Sequence, residues 1–268
     1  MMPAVRKIFK VDSFTDVPFR GNPAGVCLLD EDASDEWMQA VAAEMNVSET
    51  AFLKPLGAGF SIRFFTPAVE VPLCGHATLA SAHILWEERL ARQDMRIDFQ
   101  SKSGRLSSAM EGDWLLLDFP ADPVSSADAP AGIEAALGVQ PKGAYRSGRQ
   151  GILLLEYDTE EQVLALKPDF SRLRAGAFGE IAVTARSESP DFDFVSRFFA
   201  PALGIDEDPV TGAAHTCLGP FWAERLGKKE MVGRQVSRRG GVVRVRTKGE
   251  RIDLLGKAIT VLRGELAV

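Results

Sequence analysis

The segment Arg63-Phe64-Phe65-Thr66-Pro67-Ala68 recurs as Arg197-Phe198-Phe199-Ala200-Pro201-Ala202, with five identities in six positions. The offset of 134 residues is half the length of the 268-residue chain. Each copy is followed, after a short irregular stretch, by a glycine and a run of small residues that is typical of a helix. Self-similarity of this kind indicates a repeated architecture. We therefore expect two lobes that are variants of one another; the alternative is a chance match between two unrelated strand ends.

The composition is that of an ordinary globular protein, with 46% hydrophobic and 25% charged residues. The net charge of −6 and the mixing of both signs disfavour a nucleic-acid or membrane-surface partner. The three cysteines form no C-x-x-C pair, which favours reduced thiols over a disulfide framework or a zinc site. No signal peptide is recognised and no apolar run approaches 18 residues. We expect a cytoplasmic protein.

Short segments with β-branched or aromatic residues, broken by Gly, Pro or Asp, predict a chain dominated by strands. The predicted strands lie at 5–14, 24–30, 51–55, 60–66, 95–100, 104–110, 114–119, 143–147, 151–156, 180–184 and 192–199, with further short strands from 236 to 266. Predicted helices cover 34–45, 75–86, 131–137 and 212–226. The polar stretch 120–130 contains three prolines and reads as a linker.

Two of the predicted helices begin with a glycine, Gly75 and Gly212. The first turn of a helix exposes amide N–H groups without intrahelical partners and carries the positive end of the helix dipole. A glycine there lets an anion approach the backbone closely. If the lobes are related by a pseudo-two-fold axis, the two helix starts face one another and can hold a small carboxylate between them. Alternatively, each glycine only begins a buried helix.

All three histidines of the chain, His76, His83 and His215, fall in these two helices. His76 adjoins Gly75 at the predicted mouth, whereas His83 lies about 10 Å further along the helix. One metal ion cannot easily bind both, and no H-E-x-x-H motif is present. We therefore predict no metal site and interpret His83 as a core histidine with its own hydrogen-bond partner.

Two acidic side chains are candidates for the chemistry. Glu49 lies between a helix end and an apolar strand, where partial desolvation would suit a general acid or base, although a solvated strand-edge glutamate is the alternative. Asp208 precedes Gly212 by four residues and either faces the same cavity or serves as a turn or cap residue. The neighbouring Asp206 and Glu207 are interpreted as solvated.

Five motifs, in order along about residues 5 to 226, together resemble the phenazine-biosynthesis PhzF-like family, which has the diaminopimelate epimerase fold. They are Val11-Asp12-Ser13-Phe14-Thr15, Gly21-Asn22-Pro23-Ala24, Asn46-Val47-Ser48-Glu49-Thr50, Cys74-Gly75-His76-Ala77-Thr78 and Asp208-Pro209-Val210-Thr211-Gly212-Ala213-Ala214-His215. The resemblance implies an α+β fold of two pseudo-symmetric lobes, each a curved, barrel-like mixed β-sheet wrapped around a central helix. The N-terminal lobe would cover 1–112, completed by the last strand at 258–268, and the C-terminal lobe 113–257.

The resemblance also implies a cofactor-independent, metal-independent isomerase, usually a homodimer, that acts on a small carboxylate. The best understood reaction of the family moves a proton within trans-2,3-dihydro-3-hydroxyanthranilate. By position, Glu49 would be the acid/base that removes and returns the proton. The substrate-binding residues that the resemblance implies are Gly75, His76, Asp208, Gly212 and Ala213.

The sequence is compatible with three alternative functions. A two-thiol racemase would need one cysteine on each lobe, and Cys74 is well placed. Its counterpart before Gly212 is Thr211, however, and Cys217 lies more than a turn into the helix. A non-catalytic ligand-binding protein on the same scaffold is a further alternative. An isomerase of another small unsaturated acid is favoured over phenazine synthesis itself, because no residue in the sequence indicates recognition of a ring-shaped substrate or of its substituents.

Overall fold

The computed structural model describes residues 6–176 and 178–267, which contain eighteen strands and six α-helices. The strands are β1 (Arg6–Ser13), β2 (Asn22–Leu28), β3 (Glu49–Leu56), β4 (Gly59–Phe65), β5 (Glu70–Val71), β6 (Ile97–Ser101), β7 (Gly104–Glu111), β8 (Trp114–Pro120), β9 (Val124–Ala127), β10 (Gly143–Ser147), β11 (Leu153–Glu156), β12 (Ile181–Arg186), β13 (Phe194–Ala200), β14 (Ile205–Asp208), β15 (Glu230–Gln235), β16 (Gly241–Lys248), β17 (Arg251–Gly256) and β18 (Ala258–Leu266). The helices are α1 (Asp35–Met45), α2 (Gly75–Glu87), α3 (Ile133–Leu137), α4 (Glu160–Ala165), α5 (Phe170–Ala175) and α6 (Gly212–Leu226).

The chain divides into two compact units. The first runs to Asp118 and resumes at Leu255, and the second spans Phe119–Leu254. No helix in the described ranges is long and apolar enough to cross a membrane.

The first unit is built on a mixed sheet. Its strands follow the order β18-β1-β2-β3-β4-β6-β7-β8, with parallel pairing at β2–β3 and β4–β6 and antiparallel pairing elsewhere. Helix α2 packs against β18, β1, β2 and β3 and also against β7. Because these strands come from both ends of the order, the sheet curves around α2. The helix therefore has apolar residues on nearly all sides, and ten of its residues are buried.

The second unit follows the same plan. Its sheet runs β9-β10-β11-β12-β13-β15-β16, with parallel pairs at β11–β12 and β13–β15. Helix α6 contacts β9, β15 and β16, which again come from the two ends of the order. A separate apolar cluster joins α3, α4 and α5 to strands β11, β12 and β13. Each unit is thus a curved mixed sheet around one central helix, as predicted.

The repeated segment has equivalent surroundings in the two units. Arg63 on β4 donates two hydrogen bonds to Glu70 on β5, at 2.8 and 2.7 Å. Arg197 on β13 donates two to Glu207 on β14, at 2.7 and 3.0 Å. Each guanidinium also lies 5.1 Å from the ring centroid of the phenylalanine two residues later. The interpretation of Glu207 as a solvated acid was wrong, because this pairing with a mostly buried arginine engages both of its oxygens.

The predicted linker at 120–130 was also wrong in part. Strand β8 continues to Pro120, and β9 forms within the stretch and pairs in antiparallel fashion with β10. Ser125 and Ser126 of β9 are exposed, while Val124 and Ala127 are half-buried. A short polar strand at the end of a sheet has little apolar periodicity, so its sequence does not distinguish it from a loop.

Candidate active site

Glu49 and the start of α2 come together in the first unit. Glu49 is the first residue of β3 and pairs with Ala24 of the parallel strand β2. Helix α2 begins at Gly75, after Cys74 as an extended N-cap residue with φ −146° and ψ 114°. No side chain caps this helix. Its first-turn amides therefore lack a capping acceptor and carry the partial positive charge of the helix end.

Glu49 and His76 lie in contact at this helix start. His76 Nε2 is 3.3 Å from Glu49 Oε2, and the two side chains are only 9% and 15% exposed. The orientation is not that of a hydrogen bond, and Glu49 Oε2 is a buried oxygen without a hydrogen-bond partner. The backbone of His76 is held from the other side, because Ser13 Oγ donates to its carbonyl oxygen at 2.8 Å.

The neighbours of His76 select the tautomer of its neutral ring. Ser48 Oγ lies 3.2 Å from His76 Nε2, and 3.3 Å from both Asn22 Oδ1 and the carbonyl oxygen of Pro23. The two latter atoms only accept, so the single hydroxyl hydrogen of Ser48 is directed to one of them. Ser48 Oγ then accepts from Nε2–H, which leaves Nδ1 to accept from the thiol of Cys74 at 3.4 Å.

The second unit places three of the predicted site residues around the start of α6. Asp208 ends β14 and is 9% exposed, and Thr211 Oγ1 donates to its Oδ2. Gln235 is fully buried and closes the turn from both sides: its Nε2 donates to the Asp208 carbonyl oxygen at 2.8 Å, and its Oε1 accepts from the Thr211 amide at 2.9 Å. Gly212 and Ala213 are the first two residues of α6, which also lacks a side-chain cap.

His215 is a core residue of the second unit. Its Nδ1 donates to the Thr211 carbonyl oxygen at 2.8 Å, while its Nε2 is buried without a hydrogen-bond partner. Gly233 leaves room for the ring, since a Cβ there would lie 3.2 Å from Nε2 and 2.4 Å from Phe194. Burial lowers the pKa of His215 from 6.5 to about 4, because the charged form would lose its hydration.

This pKa predicts an acid-sensitive fold. The pKa of His215 is lower in the folded state than in the unfolded state, so its contribution to stability is present above pH 6.5 and is lost as the pH falls toward 4. Between pH 7 and pH 5 we expect His215 to account for a loss of about 2 kcal/mol in the free energy of unfolding. Urea titrations of the wild type and of His215→Gln at both pH values measure this loss in the free energy of unfolding. An equal loss in both proteins would contradict the prediction.

The remaining histidine and thiol of the two helices are not part of either helix start. His83 Nε2 lies 3.1 Å from Thr260 Oγ1, so the predicted partner is present, but the side chain is 20% exposed and therefore half-buried rather than in the core. Burial lowers the pKa of His83. Cys217 is fully buried and its thiol donates to the Ala214 carbonyl oxygen at 3.0 Å. Burial raises the pKa of that thiol to about 12.

Of the predicted site residues, the structure brings Glu49, Gly75 and His76 together in the first unit, and Asp208, Gly212 and Ala213 in the second. Sequence reasoning did not identify Ser48 or Gln235. Ser48 lies next to Glu49 inside one of the motifs quoted above, so that motif could have identified it as a site residue. Gln235 is distant from α6 in the chain and has no motif around it.

Comparisons with known proteins cover nearly the whole chain. The sequence profile of the phenazine biosynthesis-like protein family matches residues 11–264. An uncharacterized isomerase of Halalkalibacterium halodurans is 48% identical over 260 residues, which are 97% of each chain. A crystal structure of a PhzF-family phenazine biosynthesis protein from Enterococcus faecalis gives a TM-score of 0.92 at 39% identity, covering 98% of this chain and 99% of that one.

A more distant structure shows the fold alone. A hydroxyproline epimerase from Agrobacterium vitis, solved with trans-4-hydroxy-L-proline, gives a TM-score of 0.62 at 11% identity over 99% of this chain and 94% of its own. Together with the Enterococcus structure, this likeness confirms the predicted α+β class and its epimerase-like fold.

Proposed function

The chain belongs to the phenazine biosynthesis-like family of isomerases, and on that premise we propose that it shifts a proton within a small unsaturated carboxylic acid by means of one carboxylate, Glu49. The observation that carries the proposal is the buried Oε2 of Glu49, which has no hydrogen-bond partner. A base needs a free lone pair directed to the proton it removes, and this oxygen has one. The adjacent His76 and the amides of α2 supply the polar groups that such a reaction requires.

The proposed proton transfer proceeds in two steps on one substrate. Glu49 removes a proton from a carbon next to the unsaturated system, and the resulting negative charge spreads toward the substrate carboxylate or carbonyl. Amides at the start of α2 stabilise that charge, because fixed donors in a dry site need no reorganisation. Glu49 then returns the proton to a second carbon. Both bonds involve the same proton, so the scheme needs no redox cofactor.

We assign substrate binding to the amides at the helix starts, which carry partial positive charge. The amides at Gly75 suit a carboxylate, since the helix dipole favours an anion there. In the second unit, we assign the amides of Gly212 and Ala213 to the same kind of group, with Asp208 accepting a hydrogen bond from a substrate donor. Gln235 is a positioning residue because it fixes Asp208 and Thr211 through hydrogen bonds to their backbones.

Proton exchange tests this proposal directly. The wild-type protein is incubated in deuterated water with trans-2,3-dihydro-3-hydroxyanthranilate and with a panel of related cyclic and amino carboxylic acids, and the label is followed by NMR. We expect at least one acid to be converted to its isomer, with deuterium in part of the product at the carbon that accepts the proton. Absence of both isomer and label throughout the panel, with a folded protein, would favour a ligand-binding protein on the same scaffold.

A two-base racemase is disfavoured by the position of the thiols. Cys74 lies at the start of α2, but the corresponding residue before α6 is Thr211. Cys217 cannot replace it, because its thiol is fully buried within α6 and burial raises its pKa to about 12. An alcohol at position 211 is too weak a base for this role.

We further propose that the enzyme acts in the cytoplasm, as a homodimer and without a cofactor. Two observations support this: the family resemblance and three cysteines without disulfide bonds. The proposed reaction scheme also requires no cofactor. Light scattering of the purified protein measures the oligomeric state, and a mass of one chain would contradict the dimer.

A further inference from the structure

One cluster of potential metal ligands occurs among the residues that the structure describes. Glu49, Cys74 and His76 each offer one ligand atom, and these atoms lie within 4.8 Å of one another. The prediction of no metal site rested on the two histidines of α2, which are two turns apart, on the lack of an H-E-x-x-H motif and on the lack of a C-x-x-C pair. It did not consider that β3 brings a carboxylate to the thiol and imidazole at the start of the same helix.

We propose that Glu49, Cys74 and His76 form a binding site for a thiophilic divalent cation, Zn²⁺ in particular. Zinc accepts a thiolate, an imidazole nitrogen and a carboxylate oxygen in one coordination sphere. The bond lengths of tetrahedral zinc place its ligand atoms about 3.3 to 3.6 Å apart. His76 Nε2 is already 3.3 Å from Glu49 Oε2 and 4.0 Å from Cys74 Sγ. The third pair, Cys74 Sγ and the Glu49 carboxylate, lies within 4.8 Å, so the Cys74 side chain must move closer to complete the three contacts.

The surroundings of the cluster also suit a cation. Glu49 Oε2 is a buried carboxylate oxygen without a hydrogen-bond partner, so a cation would satisfy it. Cys74 and His76 are 7% and 8% exposed, which limits the number of waters that compete as ligands. Binding requires the Cys74 thiol to lose its proton to solvent and the ring hydrogen of His76 to move from Nε2 to Nδ1, so that the neutral ring binds the cation through Nε2. The choice of a thiolate ligand favours zinc over magnesium or calcium, which prefer oxygen.

A bound cation would block the proposed reaction, since it would occupy the lone pair with which Glu49 removes the proton. This consequence rests on the proposed function, whereas the metal site itself does not. Zinc would act as a reversible inhibitor of the isomerase and a chelator would restore activity.

Cobalt spectroscopy tests the site without a substrate. Co²⁺ is titrated into the wild-type protein, and the thiolate-to-cobalt charge-transfer band is followed in the near ultraviolet. We expect one equivalent per chain, displacement by Zn²⁺, and loss of the band in Cys74→Ser. The matched controls are Cys27→Ser and Cys217→Ser, which should retain the band, because neither thiol belongs to the ligand cluster and both are fully buried. His76→Asn provides a second ligand variant, and circular dichroism checks that each variant is folded.

Two results would overturn the metal site: no charge-transfer band in the wild type, or an undiminished band in folded Cys74→Ser. Either would leave the proton-exchange assay of the isomerase unaffected. Conversely, a protein that binds cobalt as expected but exchanges no substrate proton would retain the metal site and lose the proposed function.

Discussion

Replacing Glu49 by glutamine is expected to slow proton exchange in the substrate about a thousandfold, within the range that general acid–base catalysis supplies. Glutamine has nearly the same shape as glutamate and can keep the contact with His76, but its amide has no basic lone pair. The proposed reaction gives the same carboxylate both the removal and the return of the proton, so no other group replaces it. Exchange rates measured by NMR in deuterated water give the ratio.

Glu44→Gln is the matched control for this experiment. Glu44 is an exposed residue of α1 in the same unit, so its replacement removes the same charge away from the site. We expect wild-type exchange for this variant and unchanged thermal unfolding for both. Equal exchange rates in Glu49→Gln and the wild type would remove Glu49 from the mechanism.

Replacing Arg197 by methionine is expected to destabilise the second unit by about 3 kcal/mol, which is the usual cost of removing one partner of a buried ion pair. The guanidinium is 11% exposed and donates to both oxygens of Glu207. It also donates to the carbonyl oxygens of Val163 and Leu166, at 3.2 and 2.9 Å, and so satisfies the end of α4. Methionine fills similar space but leaves the carboxylate and both carbonyls without this donor.

The equivalent arginine of the first unit provides an internal control. Arg63 is 29% exposed, and its partner Asp35 is largely solvated. Glu70 also keeps Lys102 as a second partner when Arg63 is removed. We therefore expect Arg63→Met to cost distinctly less than Arg197→Met. The urea midpoints of the two variants measure the difference, and equal midpoints would contradict this account of the repeat.

The two central helices could be predicted from sequence nearly to the residue. Both begin at a glycine and are apolar on nearly all sides, which is the pattern of a helix surrounded by protein. The prediction of 75–86 compares with Gly75–Glu87 in the structure, and that of 212–226 coincides with Gly212–Leu226. The prediction missed strands β5, β9, β14 and β15 and helices α4 and α5. Strands β9 and β14 are short and polar and owe their pairing to neighbours elsewhere in the chain.

The candidate site was predictable only in part, for a related reason. Glu49, His76 and Asp208 stand in distinctive motifs, and the resemblance assigned a role to each. The contact between Glu49 and His76 is a tertiary one, made when β3 packs beside α2, and no spacing in the chain encodes it. The hydrogen bonds of Ser48 and Gln235 depend on the same packing. The proximity of Cys74 to Glu49 is also a tertiary contact. Cys74 has no C-x-x-C partner, so the sequence around it did not indicate a metal ligand.

The most direct test of the account follows the proton itself. Trans-2,3-dihydro-3-hydroxyanthranilate, or whichever acid of the panel exchanges, is deuterated at the carbon that loses its proton and is converted in ordinary water under single-turnover conditions. A single enclosed carboxylate should return part of the label, because Glu49 is only 15% exposed and exchanges slowly with solvent during the transfer. We therefore predict deuterium at the accepting carbon of the product. A product that carries only solvent hydrogen there would contradict proton transfer by one base.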